Sequence, residues 1–121
     1  MNFSASIRQQ GPVSLVALSG HLTSFENAGL RDTITSLLKQ GRKNIVLNLR
    51  GLEYLDSSGI GQLVRNYMTV IKAGGEMKVV GLTARVEEIL KITKLSGVLA
   101  EFQDEEEALR SFSNNAPGKS I

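Results

Sequence analysis

Hydrophobic and polar residues alternate at the start of the chain. Phe3, Ala5 and Ile7 interleave with Ser4, Ser6 and Arg8, the period-two pattern of a half-buried strand. Gln9-Gln10-Gly11-Pro12 is turn chemistry, and Val13 to Leu18 is a second apolar run. The spacing predicts an antiparallel hairpin whose second strand closes at Gly20. The period then changes. Leu30, Ile34, Leu37 and Leu38 recur at helical spacing. Thr23-Ser24-Phe25-Glu26 ahead of them has the spacing of a capping box, and Gly41 behind them is a C-terminal stop, so a helix is expected over 24–40.

Asn44 to Leu49 is a compact apolar run that reads as a third, buried strand, with Gly51 and Glu53 in the loop after it. Ile60, Leu63, Val64, Tyr67, Met68 and Ile71 then form the strongest helical period in the chain, ended by Gly74-Gly75. Met77 to Gly81 is a fourth strand. Strand, helix and strand in so short a stretch make a βαβ unit, with parallel strands and a right-handed crossover. Thr83 can cap a third helix carrying Val86, Ile89 and Leu90 inward. Leu99 to Phe102 is a short last strand. Asp104 can cap a final helix with Glu105, Glu106 and Glu107 in its first turn and Ala108, Leu109 and Phe112 inward. The expected architecture is α/β: a mixed β-sheet packed with four α-helices in the order ββαβαβαβα. It forms one domain over 1–112, followed by a disordered tail over 113–121.

Composition narrows the classes of function. The chain has 121 residues, with 41% hydrophobic and 21% charged, which suits one ordinary globular domain. A formal net charge of +2, with no basic run longer than Arg42-Lys43, does not point to nucleic acid or to an anionic membrane. The absence of cysteine excludes disulfides and thiolate sites. The N-terminus lacks a signal-peptide pattern, and no apolar run approaches the roughly 20 residues of a membrane span, so a cytoplasmic protein without membrane insertion is expected.

The candidate chemistry sits at Leu55-Asp56-Ser57-Ser58-Gly59, where the third strand hands over to the second helix. In open α/β sheets functional groups collect at such handovers. Ser57 could be a nucleophile with His21, the one histidine, as its base. The Gly-x-Ser-x-Gly elbow is absent, however, because position 55 is Leu, and a hydrolase is disfavoured. No Gly-Lys-Ser/Thr phosphate loop occurs. The acids at 104–107 are consecutive on a helix and diverge, so they read as a solvated first turn. No catalytic residue, cofactor or metal is therefore expected. Helix capping by Asp56 or a serine accounts for part of the motif. Behind it, Gln62, Arg65, Asn66 and Thr69 make a weakly charged helix face of the kind that suits a protein partner. A phosphate on Ser57 would turn a small neutral hydroxyl into a hydrated anion of about −1.5 to −2 charge, which the helix N-terminus tolerates and a partner would not.

The order of these motifs resembles the STAS-domain anti-sigma factor antagonists of bacteria. The resemblance rests on Asn44-Ile45-Val46-Leu47-Asn48-Leu49, then Leu55-Asp56-Ser57-Ser58-Gly59-Ile60-Gly61, then Gly74-Gly75-Glu76-Met77-Lys78-Val79-Val80, then Ile89-Leu90 with Thr93-Lys94-Leu95-Ser96-Gly97. It spans roughly residues 3–112. It implies a mixed sheet with helices mainly on one face. It also implies a non-enzymatic partner switch: the unphosphorylated protein binds an anti-sigma factor, a serine kinase with a GHKL-type ATP-binding domain, and so frees a sigma factor. The kinase phosphorylates the serine after the Asp, here Ser57, and a phosphatase reverses this. Asp56, Ser58, Gly59, Gln62, Arg65, Asn66, Thr69, His21 and Thr23 are then the expected partner-binding residues, on the second helix and the connections around it. The sequence departs from the family at Gly20-His21-Leu22-Thr23, where relatives often have Gly-Glu-Leu-Asp. The alternative role is a phosphorylation-independent STAS scaffold, in a stress-signalling complex or as accessory subunit of a lipid-transport ABC system.

Overall fold

The computed structural model describes residues 3–23, 27–92 and 100–114. Nine elements follow in the order β1 (Phe3–Gln10), β2 (Val13–Leu22), α1 (Asn27–Lys39), β3 (Asn44–Leu55), α2 (Ser57–Lys72), β4 (Glu76–Val80), α3 (Ala84–Ile92), β5 (Ala100–Phe102) and α4 (Glu105–Asn114). This is the expected mixed α/β arrangement. Ser24-Phe25-Glu26 of the capping box, the side chain of Ile89, Leu99 and the segment 115–121 lie outside the described residues; Ser113 and Asn114, expected in the tail, belong to α4.

The five strands lie in sequence order, β1-β2-β3-β4-β5. β1 and β2 are antiparallel, and β2 to β5 are parallel. Each crossover therefore steps to the next strand in the same direction, and right-handed connections place the intervening helices on one face. The core divides accordingly. Val16, Leu18, Ile45, Leu47, Leu49, Met77 and Val79 point to one face and pack with Leu30, Ile34 and Leu37 of α1 and Leu63 and Val70 of α2. Val13, Leu15, Val46 and Val80 point to the other and pack with Ala108, Leu109 and Phe112 of α4. Strands buried on both faces need continuous apolar runs, and β3 opens with one, Ile45-Val46-Leu47. α3 joins the first layer through Val86 and Leu90 against Ile60 of α2.

Helix ends follow local chemistry. The α2 terminus closes with Gly74 N–H bonding Ile71 O at 2.9 Å and Gly75 N–H bonding Val70 O at 3.0 Å, with Gly74 at φ 85°. That paired closure needs a left-handed residue, which only glycine adopts without steric cost.

Two strands run on past the ends that the sequence reading gives them. β2 does not close at Gly20; it runs to Leu22. β3 does not end at Leu49; it runs to Leu55, so Gly51 and Glu53 are strand residues and not loop. Ser19 pairs with Gly51, Gly20 with Leu52, His21 with Tyr54 and Leu22 with Leu55, across two register shifts. Bulges of this kind break the strict alternation by which strands are recognised in a sequence, while the backbone pairing continues.

Candidate functional site

The extension of β2 and β3 matters because it brings both strands up to the start of α2. Asp56 follows β3 directly and is the N-cap of α2, with extended backbone at φ −108°, ψ −175°. Its side chain accepts the Gly59 N–H at 2.9 Å. Asp56 thus satisfies a helix-end donor that a serine would otherwise take. Ser57 and Ser58 are left in the first turn, exposed, and neither hydroxyl has a hydrogen-bond partner among the described residues.

Gly59 fixes where this turn sits. A Cβ there would lie 2.2 Å from Leu22 O and 2.5 Å from Leu55 Cδ1, so only glycine lets the helix press against the ends of both strands. Gln62 completes the join. It is buried, and its Nε2 donates to Thr23 O at 2.9 Å, while Asn66 Nδ2 donates to Gln62 O at 2.7 Å. The Gln62 Oε1 is buried without a partner. At the neighbouring strand ends His21 Nε2 lies 3.7 Å from Glu53 Oε1, and its ring is 5.8 Å from that of Tyr54. A mostly apolar cleft of about 140 Å³, lined by Leu49, Leu52, Glu53, Tyr54, Leu55, Gly81, Thr83 and Val86, is smaller than the several hundred Å³ usual for a substrate pocket.

The expected partner-facing residues therefore do not form one surface. Ser57, Ser58, Arg65 and Thr69 are exposed, and Asp56 and His21 are half-buried. Gly59, Gln62, Asn66 and Thr23 are buried. Gln62 and Asn66 were expected on an outward polar face; both face the protein, where Gln62 ties α2 to the end of β2 and Asn66 bonds back to the Gln62 carbonyl within the helix.

The apolar period of α2 is likewise divided between inside and outside. Ile60, Leu63 and Val70 are buried, but Met68 is 48% exposed, Ile71 is 42% exposed and Val64 is partly exposed. Ser57, Gly61, Val64, Met68 and Ile71 follow one another at spacings of 4, 3, 4 and 3 and make a single ridge on the outer side of α2. Met68 and Ile71 are the functional candidates that the sequence reading missed. The signal was present: the apolar residues of α2 span about 160° of arc, wider than the roughly 100° stripe one sheet face needs.

Among the described residues no three His, Asp or Glu side chains are placed to hold a metal, and no helix is long and apolar enough to cross a membrane.

A five-stranded mixed sheet with a capped, hydroxyl-bearing helix start at the carboxyl ends of its strands defines a small α/β module. The chain belongs to the STAS domain family, whose sequence model matches residues 4–108. It is 28% identical over 110 residues to an anti-sigma F factor antagonist of Paenibacillus polymyxa, covering 90% of this chain and 94% of that one. Its fold matches the crystal structure of an anti-sigma factor antagonist from Mycobacterium paratuberculosis with a TM-score of 0.79 at 21% identity, covering 91% and 93% of the two chains. It also matches the Bacillus cell fate determinant SpoIIAA in its phosphorylated form, with a TM-score of 0.70 at 19% identity over 90% and 99% of the chains.

Proposed function

We propose that this protein is an anti-sigma factor antagonist that binds its anti-sigma factor while Ser57 is unmodified and is released when Ser57 is phosphorylated. The observation that carries the reading is the free hydroxyl of Ser57. It stands exposed at the start of α2 and is not used as the cap, because Asp56 is. The names of the relatives and the phosphorylated state of one structural neighbour support it.

The kinase, in this reading, is the anti-sigma factor itself, of the GHKL type, and a phosphatase restores the hydroxyl. Transfer joins the γ-phosphorus of ATP to Ser57 Oγ, breaks its bond to the bridging oxygen of ADP, and releases the hydroxyl proton. The product carries about −1.5 to −2 charge beside the Asp56 carboxylate. The N-terminal dipole of α2 and its unpaired first-turn amides accommodate that charge, so the fold persists. The contact surface does not, since a docked partner would have to desolvate a dianion. No group of this chain needs to act as a catalyst.

The test is binding of the cognate anti-sigma factor to two variants. Ser57→Asp should bind at least about tenfold more weakly than wild type, and Ser57→Ala should bind as wild type does and stay bound in the presence of ATP. Equal binding by both variants, with and without ATP, rejects the switch. His21 and Thr23, in place of the acids common at those positions in the family, favour a second reading: a STAS scaffold that works without phosphorylation. Mass spectrometry after incubation with the active kinase and ATP separates the two, because the scaffold leaves Ser57 unmodified.

A further inference from the structure

α2 buries Ile60, Leu63 and Val70 together with the polar Gln62 and Asn66, yet leaves the large apolar Met68 and Ile71 exposed, which packing on its own sheet does not account for. We infer that the outer ridge of α2 is the seat of an amphipathic helix of the partner, one with an apolar stripe flanked by acidic side chains. The inference rests on the reading that α2 faces the anti-sigma factor, and it specifies the chemistry of the segment that docks there.

Three observations carry it. The ridge has the spacing of a coiled-coil seam. Gly61, Val64, Met68 and Ile71 alternate by 3 and 4 residues, the repeat that lets a second helix lie alongside at a shallow crossing angle. Gly61 at one end adds no side chain of its own to the ridge, and Met68 and Ile71 supply adaptable and branched apolar surface farther along. The second observation is charge. Arg65 and Lys72 lie seven residues apart on one flank of the ridge, both exposed, and residues 57–72 contain no acid. The Arg65 guanidinium folds back along the ridge, its Nη1 3.2 Å from where a Gly61 Cβ would stand. A partner helix with Glu or Asp at the matching flank meets both cations. A second copy of this chain does not, because it brings another α2 with the same two cations and no acid. The third observation is continuity. The ridge begins at Ser57, so a helix seated on Val64, Met68 and Ile71 ends over the phosphoacceptor. A phosphate there would meet the acidic flank of the docked helix, and like charge would drive the release.

Two synthetic helical peptides of three heptads test this without any assumption about the natural partner. Both carry leucine at the seam; one has glutamate and the other lysine at the flanking positions. In amide NMR titrations of the full chain, the glutamate peptide should shift residues 61–72 and bind at least about tenfold more tightly than the lysine peptide. Arg65→Glu with Lys72→Glu should invert the preference, and Met68→Asp with Ile71→Asp should abolish both titrations while the thermal melt is kept. Equal binding of the two peptides, shifts confined to other elements, or a wild-type dimer that Met68→Asp converts to monomer each overturns the inference. With the anti-sigma factor itself, the Met68/Ile71 double variant should lose at least about thirtyfold in affinity. If wild type with unmodified Ser57 does not bind that factor, the proposed function fails, and the peptide titrations still decide the inference.

Discussion

At the scale of single residues, the motif divides its labour between neighbours. Asp56 does the capping and Ser57 is left free, a distinction the sequence leaves open because Asp and Ser are both preferred N-cap residues. Replacing Asp56 by Ala should cost about 1 kcal/mol of stability and leave the Gly59 amide without its acceptor, which denaturant unfolding measures directly. Replacing Ser57 by Ala should leave the unfolding midpoint within about 0.5 kcal/mol of wild type, since an exposed hydroxyl without a partner contributes little. Gly59→Ala should be the more damaging change. Its added methyl overlaps Leu22 O and Leu55 Cδ1, so the first turn of α2 must move off the strand ends. A loss of about 1–3 kcal/mol is the expected outcome, with partner binding falling further than stability alone explains, because Ser57 moves with the turn.

At the scale of elements, α4 shows how a helix can be held on a sheet face that is only partly apolar. Asn48 Nδ2 donates to Glu105 Oε2 at 2.9 Å, and Arg8 pairs with the other carboxylate oxygen. Lys78 is nearly buried beneath the helix. It donates to Ser111 Oγ at 2.6 Å, lies 4.2 Å from the centre of the Phe112 ring and is 3.3 Å from Glu76. The Asn48 hydrogen bond, together with Arg8 and Arg50, holds the Glu105 carboxyl below the ordinary carboxylate range, against an opposing effect of burial. A depressed folded-state value means that the unfolded state binds the proton more readily. The contribution is therefore present above the ordinary value of 4.5 and is lost as pH falls through and below it. Amide protection factors in α4, corrected for the intrinsic exchange rate at each pH, should accordingly fall on acidification below that value more than those in α2 do. Glu105→Gln should weaken the attachment at neutral pH and remove that part of its acid sensitivity.

How far the chain could be read in advance follows from which signals are local. The succession of elements was legible because strand and helix periods differ and because turns and caps carry their own residues, as at Gly11-Pro12, Gly74-Gly75 and Asp104. The long arms of β2 and β3 were not. Gly20, Gly51 and Glu53 look like loop chemistry, and it is pairing between distant segments, through two register shifts, that makes them strand. The motif at 55–59 was legible as a site, since it stands at a strand-to-helix handover. Its surroundings were misread for one physical reason. Periodicity shows that α2 has an apolar side, but not whether that side meets the chain's own core or another molecule. Ile60, Leu63 and Val70 meet the core beside Gln62 and Asn66 while Met68 and Ile71 stay exposed, a division that only packing reveals.

At the scale of the whole molecule, strands adjacent in the sheet are adjacent in the chain, from β1 to β5. This has a consequence for synthesis. As the polypeptide leaves the ribosome, each strand after β1 finds its neighbour already made, and the sheet lengthens at one edge only. No strand has to be threaded between two others, and no early segment waits for a late one before it can pair. The hairpin, α1 and β3 can seat the strand ends against which Gly59 packs before β4 emerges, so the surface bearing Ser57 is assembled well before the C-terminal helix closes the opposite face.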